Sequence, residues 1–181
     1  DELPLNGHVL KDIRMADDTA NQNLYICAYF ADSKYGQSRG LYFSTYDYNK
    51  LSTGISHFTP LVLQGSTSRT DLQDLKIRKL LIRKGGELEV VTERSYQQTR
   101  TISNPAPSIS SSFIMPSMAE SARIVTEFYN DEIVIFDLKT DGSLAWSQTL
   151  VKEQVSSDDN GIYSSFGLLQ HRLGNAYIFN D

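Results

Sequence analysis

Apolar and polar residues alternate along most of the chain in segments of strand length. These segments mix β-branched, aromatic and aliphatic residues, which favour strands over helices. Leu75 to Leu81 alone has some helical character, and its pairing with Leu88 to Val91 across Gly85-Gly86 makes a hairpin the better prediction. The pattern therefore predicts an all-β chain built from antiparallel four-stranded meanders. The clearest strand segments are residues 23–31, 41–48, 75–82, 87–94, 123–129, 132–138 and 176–179.

Short clusters of Gly, Asn and Asp separate the predicted strands. These residue types adopt the positive φ angles that tight hairpins require. Whether 123–129 and 132–138 are two strands or one stays open at this point. The predicted turns are Lys84-Gly85-Gly86, Asn130-Asp131, Thr140-Asp141-Gly142, Asn160-Gly161 and Leu173-Gly174-Asn175.

A weak internal repeat groups the strands into larger units. Each copy has an Asp, a turn with Gly, and an aromatic residue four positions beyond that Gly. The copies consist of Asp47, Gly54 and Phe58, and of Asp137, Gly142 and Trp146. Stacked four-stranded units of this length are typical of β-propellers.

The units predict a β-propeller-like domain or fragment over residues 1–181. The predicted parts are a blade at 8–63, a blade at 72–151 with a loop insertion at 99–121, and a half blade at 162–181. About two and a half blades are too few to close a ring, so we expect an incomplete propeller, with further chain or a partner at its open edge. An open β-sandwich or meander that is complete at this length is the alternative.

The insertion at 99–121 is rich in Pro and Ser, so it cannot continue a strand ladder. Its apolar residues make it a candidate partner-binding loop, although a tolerated hairpin insertion also explains it. The residues that would contact the partner are Ile109, Phe113, Ile114, Met115 and Met118.

Composition narrows the function classes. The net charge of -5 argues against binding to a nucleic-acid backbone, and no apolar run is long enough to span a membrane. The chain begins without Met, which leads us to expect a mature or excised segment. Cys27 is the only cysteine, so it forms no disulfide within the chain, and its apolar neighbours predict a buried small side chain rather than a nucleophile.

No catalytic, cofactor or metal motif is evident in the sequence. His8, His57 and His171 lack metal-ligand spacing, and nucleophile-elbow, phosphate-loop and dinucleotide-glycine patterns are absent. We therefore predict no catalytic residue, no cofactor and no metal ligand, with enzyme activity uncertain. The acidic run Asp158 to Gly161 favours turn chemistry, and whether it binds calcium stays open.

Phe136 to Trp146 resembles the outer hairpin of pyrroloquinoline-quinone-type propeller repeats. In those repeats an Asp, a Thr-Gly turn and a Trp hold adjacent blades together. The turn here is one residue longer, and Phe58 replaces the Trp in the first copy. The resemblance covers the docking element alone and implies no quinone pocket.

A wider stretch, from about Asn23 to the end, is similar to uncharacterised envelope proteins of the Bacteroidetes that look like exported propellers. The similar phrases are Asn23 to Asp32, Arg39 to Phe43, Tyr129 to Val134, Gly161 to Phe166 and Tyr177 to Asp181. This resemblance implies an exported, periplasmic or cell-surface protein. We expect a non-enzymatic binding or scaffold module that recognises a protein or glycan through propeller loops. The alternative is part of a propeller enzyme that acts on carbohydrate, with catalytic carboxylates mostly outside this segment.

Overall fold

The computed structural model describes residues 2–63, 71–103, 122–171 and 174–180. Within these ranges every regular element is a β-strand and no helix occurs, which confirms the all-β prediction. The strands are β1 (Val9–Asp18), β2 (Asn23–Ala31), β3 (Gly40–Asp47), β4 (Ser52–Pro60), β5 (Leu75–Ile82), β6 (Leu88–Ser103), β7 (Ala122–Leu138), β8 (Leu144–Leu150), β9 (Gln154–Ser157), β10 (Gly167–His171) and β11 (Gly174–Ile178).

The strands form two meanders and a separate hairpin. One sheet has the order β1-β2-β3-β4 and the other β5-β6-β7-β8, with β9 paired to β7. Strands β10 and β11 pair only with each other, among the residues that the structure describes. Antiparallel four-stranded meanders are thus confirmed, whereas the described strands do not close a propeller ring.

The chain divides into two compact units. The first contains residues 1–95 and 131–153, and the second contains residues 96–130 and 154–181. Strands β6 and β7 contribute residues to both units because each is about twice as long as most of the other strands.

The core of the first unit lies between its two sheets. Tyr25, Cys27 and Tyr29 of β2 pack in one apolar cluster with residues of β3, β5, β6 and β7. Every residue of β6 from Leu88 to Arg94 and of β7 from Glu132 to Leu138 is buried, so these central segments are covered on both faces. Burial also raises the pKa of the Cys27 thiol, which confirms its prediction as a buried small side chain.

Three boundaries differ from the sequence-based prediction. β7 is one strand through Asn130-Asp131, where we expected a turn. The Asn130 side chain, 3% exposed, donates to Ser164 Oγ at 2.7 Å, so its polar group is satisfied without a turn. β6 continues to Ser103, so residues 99–103 of the predicted loop are strand.

The third difference lies between residues 154 and 171. We expected a half blade over residues 162–181, but the first strand in that range begins only at Gly167. The preceding residues form turns, in which Asp159 accepts hydrogen bonds from the Gly161 amide and the Ser156 hydroxyl. The short strand β9 was not predicted, because four residues carry too little periodicity to distinguish a strand from a loop.

Candidate binding cleft

A cleft of about 350 Å³ opens in the first unit. Lys11 of β1 and Tyr29 of β2 line it, together with residues 35–38 of the β2–β3 loop and residues 72–76 at the start of β5. Its volume falls at the lower end of the range for ligand pockets, roughly 300–1,000 Å³. The cleft therefore has the size for a small ligand or for the end of a larger one.

A β-bulge in β1 brings Lys11 to the cleft. The pairing of β1 with β2 shifts between Lys11 and Arg14, and Asp12 inside the bulge has a φ of 48°. The Asp12 carboxylate accepts the amide hydrogen of Ile77, and Arg14 Nε donates to the Ile77 carbonyl at 3.1 Å. These two bonds tie the bulge to β5. Bulges commonly redirect side chains beside functional sites.

The buried guanidinium of Arg94 fixes the cleft wall that precedes β5. Its side chain is 1% exposed and donates to the backbone carbonyls of Asp71, at 3.0 Å, and Gln73. Its Nε donates to Glu132 Oε1 at 2.6 Å, which compensates the buried charge. Because Arg94 and Glu132 belong to β6 and β7, the position of this wall is set by the second sheet.

The β2–β3 loop forms the opposite wall and is held by short-range contacts. Lys11 Nζ donates to the Gly36 carbonyl, and the Gly36 amide donates to the Ser33 carbonyl at 3.1 Å. Tyr35 stands at the rim with 91% of its surface exposed, and Lys34 Nζ lies 5.6 Å from its ring centroid. The loop thus presents an aromatic ring to solvent beside the cleft.

Tyr29 is a buried polar residue of the lining. It is 2% exposed, and its hydroxyl makes no hydrogen bond to another described residue. Burial raises the pKa of this phenol. The Thr92 hydroxyl lowers the same pKa, but its hydrogen is donated to the Val134 carbonyl at 2.8 Å. The Tyr29 hydroxyl is therefore enclosed by the protein rather than presented to the cleft.

The charges around the cleft are mixed. Lys11 and Lys76 form no ion pair with a residue in the described ranges, whereas Asp74 adds a carboxylate to the same wall. Asp74 has a φ of 62°, in the left-handed region that Asp adopts more readily than most residues. Two lysines and one aspartate leave the lining with a local positive balance.

In the second copy of the sequence repeat, the turn at Gly142 contacts the other sheet of the first unit. The turn at Gly142, with a φ of 83°, lies against β3 and β4, and Thr59 Oγ1 donates to the Gly142 carbonyl at 2.8 Å. Asp137 and Trp146 are direct partners in the β7–β8 pairing. The Trp146 ring is 40% exposed, and Arg83 lies 5.9 Å from its centroid.

The first copy has a different geometry. Asp47 pairs with Ser52 and caps the β3–β4 turn by accepting the Asn49 amide at 2.9 Å. Gly54 lies close to Thr45, whose Oγ1 a β-carbon at this position would approach to 2.6 Å. The contacts of Asp47 and Gly54 are therefore confined to the β3–β4 pair.

Phe58 belongs to an aromatic cluster on β4. Its ring lies 4.8–5.1 Å from the rings of His8, Phe30 and Tyr42. None of the six repeat residues lines the cleft. The proposed contact residues Ile109, Phe113, Ile114, Met115 and Met118 lie outside the described residues, so the partner-binding loop stays a prediction.

A pair of buried carboxylates lies on the second sheet, away from the cleft lining. Arg83 NH2 is 2.7 Å from Glu89 Oε2 and 3.4 Å from Asp137 Oδ1. Burial raises the pKa of Asp137, and the charge of Arg83 opposes that effect. Arg78 of β5 and Arg83, which follows β5, both pair with buried carboxylates.

The acidic run at Asp158 is occupied by turn contacts. Asp158 accepts from the Thr126 amide and from Arg123, each at 3.0 Å, and these bonds lower the pKa of its carboxyl. Across the described ranges, no group of three or more His, Cys, Asp or Glu side chains has a metal-binding arrangement. No helix there is long and apolar enough to cross a membrane.

No family model matches the chain, and no curated protein or solved structure matches it either.

The cleft was missed in the sequence because its residues come from three separate segments. The feature that brings Lys11 to it is the β1 bulge, which depends on the pairing of β1 with β2.

Proposed function

We propose that the chain is a non-enzymatic binding or scaffold module that recognises a glycan or a protein segment at the cleft of the first unit. The observation that carries this proposal is the construction of the cleft: buried contacts from both sheets hold its walls, and its lining is mostly polar. Rigid scaffolds that position loops around a recess are a common architecture for recognition.

We further infer that the two meanders are consecutive blades of a β-propeller exported to the cell envelope. Support for the propeller comes from the matching strand order of the two sheets, from the contacts between their first strands, β1 and β5, and from the central segments that are buried on both faces. Support for the envelope comes from the sequence resemblance described above.

An enzyme that acts on carbohydrate is the second candidate, favoured by the pair Glu89 and Asp137. Glycosidases use two carboxyl groups about 5–10 Å apart that flank the scissile bond. Here both carboxylates contact Arg83, they are about 5% exposed, and neither lines the cleft. Their negative charges are therefore compensated by Arg83 inside the protein, which favours the binding module.

The test is a screen of the purified chain on a glycan array and a random-peptide display library. Ligands found there are measured again with Tyr35→Ala and Lys76→Gln, which alter the cleft, and with Lys79→Gln as the matched control on the same strand. We expect both cleft variants to weaken binding about tenfold. Ligands that bind the cleft variants unchanged would contradict the proposal, and glycan hydrolysis that Glu89→Gln abolishes would establish the enzyme.

A further inference from the structure

We propose that the ligand of the cleft is an acidic glycan, a sugar that carries a carboxylate or a sulfate; this inference rests on the proposed function. Three features of the cleft support it together: the uncompensated lysines, the dense set of polar groups and the exposed ring at its rim.

The lysines provide the first argument. The chain has more acidic than basic residues. Every arginine that the structure describes has a carboxylate within ion-pair distance. Among the described lysines only Lys50 and Lys152 pair with a carboxylate in the same ranges. Lys11 and Lys76 are distinguished by lining one recess together. An anion in the cleft would meet these two cations and the single carboxylate of Asp74, and neither lysine would have to leave an existing ion pair.

The polar lining provides the second argument. Gln37, Ser38 and Gln73 offer both hydrogen-bond donors and acceptors. Sugar hydroxyls also donate and accept, so such a lining can satisfy several of them at once. The apolar lining residues Leu72 and Leu75 are buried in the core, which makes the cleft a poor site for a hydrophobic peptide side chain.

The rim provides the third argument. Tyr35 is almost fully exposed, and an aromatic side chain in this position is a flat surface on which the apolar face of a sugar ring can pack. A volume of about 350 Å³ admits one or two sugar rings, and the remaining glycan would extend over Tyr35.

The experiment compares an acidic trisaccharide with its uncharged methyl ester and adds a sulfated sugar as a second kind of anion. Trigalacturonic acid, its methyl ester and galactose 6-sulfate are titrated into the ¹⁵N-labelled chain by NMR and by calorimetry. We expect the acid to shift amides of residues 35–38 and 72–76 and to bind at least about tenfold tighter than the ester. Raising the NaCl concentration from about 50 mM to about 500 mM should weaken the binding of the acid and leave the binding of the ester unchanged.

Protein variants supply the second half of the test. Lys76→Gln should weaken the binding of the acid about tenfold and leave the binding of the ester unchanged, whereas Lys79→Gln should change the binding of neither. Thermal unfolding of each variant verifies that it is folded. Binding of galactose 6-sulfate but not of the uronate would assign the anion as sulfate. Equal binding of acid and ester at the cleft would overturn the acidic-glycan inference and leave the binding module standing. Pentaglutamate, an acidic peptide, serves as a further probe. Amide shifts at the cleft with this peptide but with no sugar would likewise overturn the acidic-glycan inference and leave the binding module standing. No shift at the cleft with any probe would count against both the acidic-glycan inference and the binding module.

Discussion

At the scale of single residues, the buried charges of the first unit are compensated by specific partners. Glu93 is fully buried, and its two oxygens lie 2.9 Å from Lys152 Nζ and from Arg78 NH2. Burial lowers the pKa of Lys152, and the carboxylate of Glu93 opposes that shift. A buried ion pair of this kind adds little net stability, yet the loss of one partner is costly because the other charge remains in the interior.

We expect Lys152→Met to lower the free energy of unfolding by about 3 kcal/mol, because it leaves Glu93 with one cation fewer. Glu93→Met should cost a similar amount, and the double variant should cost clearly less than the sum of the two. Urea unfolding of the four proteins closes the double-mutant cycle. Strictly additive costs would show that the two side chains are not coupled.

Asp137 gives the stability a pH dependence of unusual sign. Burial raises its pKa above the ordinary value of 3.8, so the folded state binds this proton more readily than the unfolded state does. As pH falls from about 7 towards 4, the wild type should therefore gain stability relative to Asp137→Asn. Urea unfolding of both proteins at several pH values measures the difference.

Asp141 is the matched control for that measurement. Its carboxylate accepts hydrogen bonds from the hydroxyl and the amide of Ser143, and these bonds lower its pKa. The wild type should accordingly lose stability relative to Asp141→Asn as pH falls through the same range. If the two variants behave alike, the opposite environments described for the two carboxyls are incorrect.

At the scale of elements, the turn between β7 and β8 joins the sheets of the first unit. A β-carbon at Gly142 would lie 2.6 Å from a ring carbon of Phe43 and 2.8 Å from Cβ of His57. Gly7 has the same φ of 83° but has no neighbouring atom within 4 Å of such a β-carbon. The two glycines therefore separate the cost of backbone strain from the cost of a close approach between sheets.

Gly142→Ala should lower the free energy of unfolding by about 2–3 kcal/mol, since strain at positive φ and overlap with β3 and β4 add together. Gly7→Ala should cost about 1 kcal/mol, for strain alone. Thermal or urea unfolding of both variants tests the comparison. Equal losses would mean that the β7–β8 turn does not pack tightly on the first sheet.

Prediction from sequence succeeded where the information is local. Hairpins such as Gly85-Gly86 were found because glycine at positive φ is needed there, and Gly86 has a φ of 87°. At Asn130-Asp131 the sequence left open whether there is one strand or two, because the hydrogen bond from Asn130 reaches Ser164, far along the chain. The cleft was out of reach for the same reason, since Lys11 lies there only through the bulge that Asp12 and Arg14 anchor to Ile77.

At the scale of the whole molecule, apolar burial is concentrated in the first unit. Among the residues that the structure describes, Val125 is the only buried hydrophobic residue of the second unit. Its hairpin β10–β11 has two strands, and isolated pairs are marginally stable in water. The units should therefore differ in local stability.

We expect amide hydrogens of β10 and β11 to exchange much faster than those of residues 25–31 in β2 and 88–94 in β6. The buried central segments open only with the first unit as a whole, whereas the hairpin can open locally. Hydrogen exchange followed by mass spectrometry or NMR measures both classes in one sample. Equal protection would indicate that the hairpin is covered in solution.

The arrangement around Trp146 gives the protein an intrinsic optical probe. It is the only tryptophan of the chain, its ring lies beside Arg83, and its side chain is hydrogen-bonded to Asp137. Excitation of this one fluorophore therefore reports on the second sheet alone, without a label. Because the indole contacts a titrating carboxyl, the wavelength of tryptophan emission should change when Asp137 is protonated. Tryptophan fluorescence should therefore report the charge state of this one buried carboxyl.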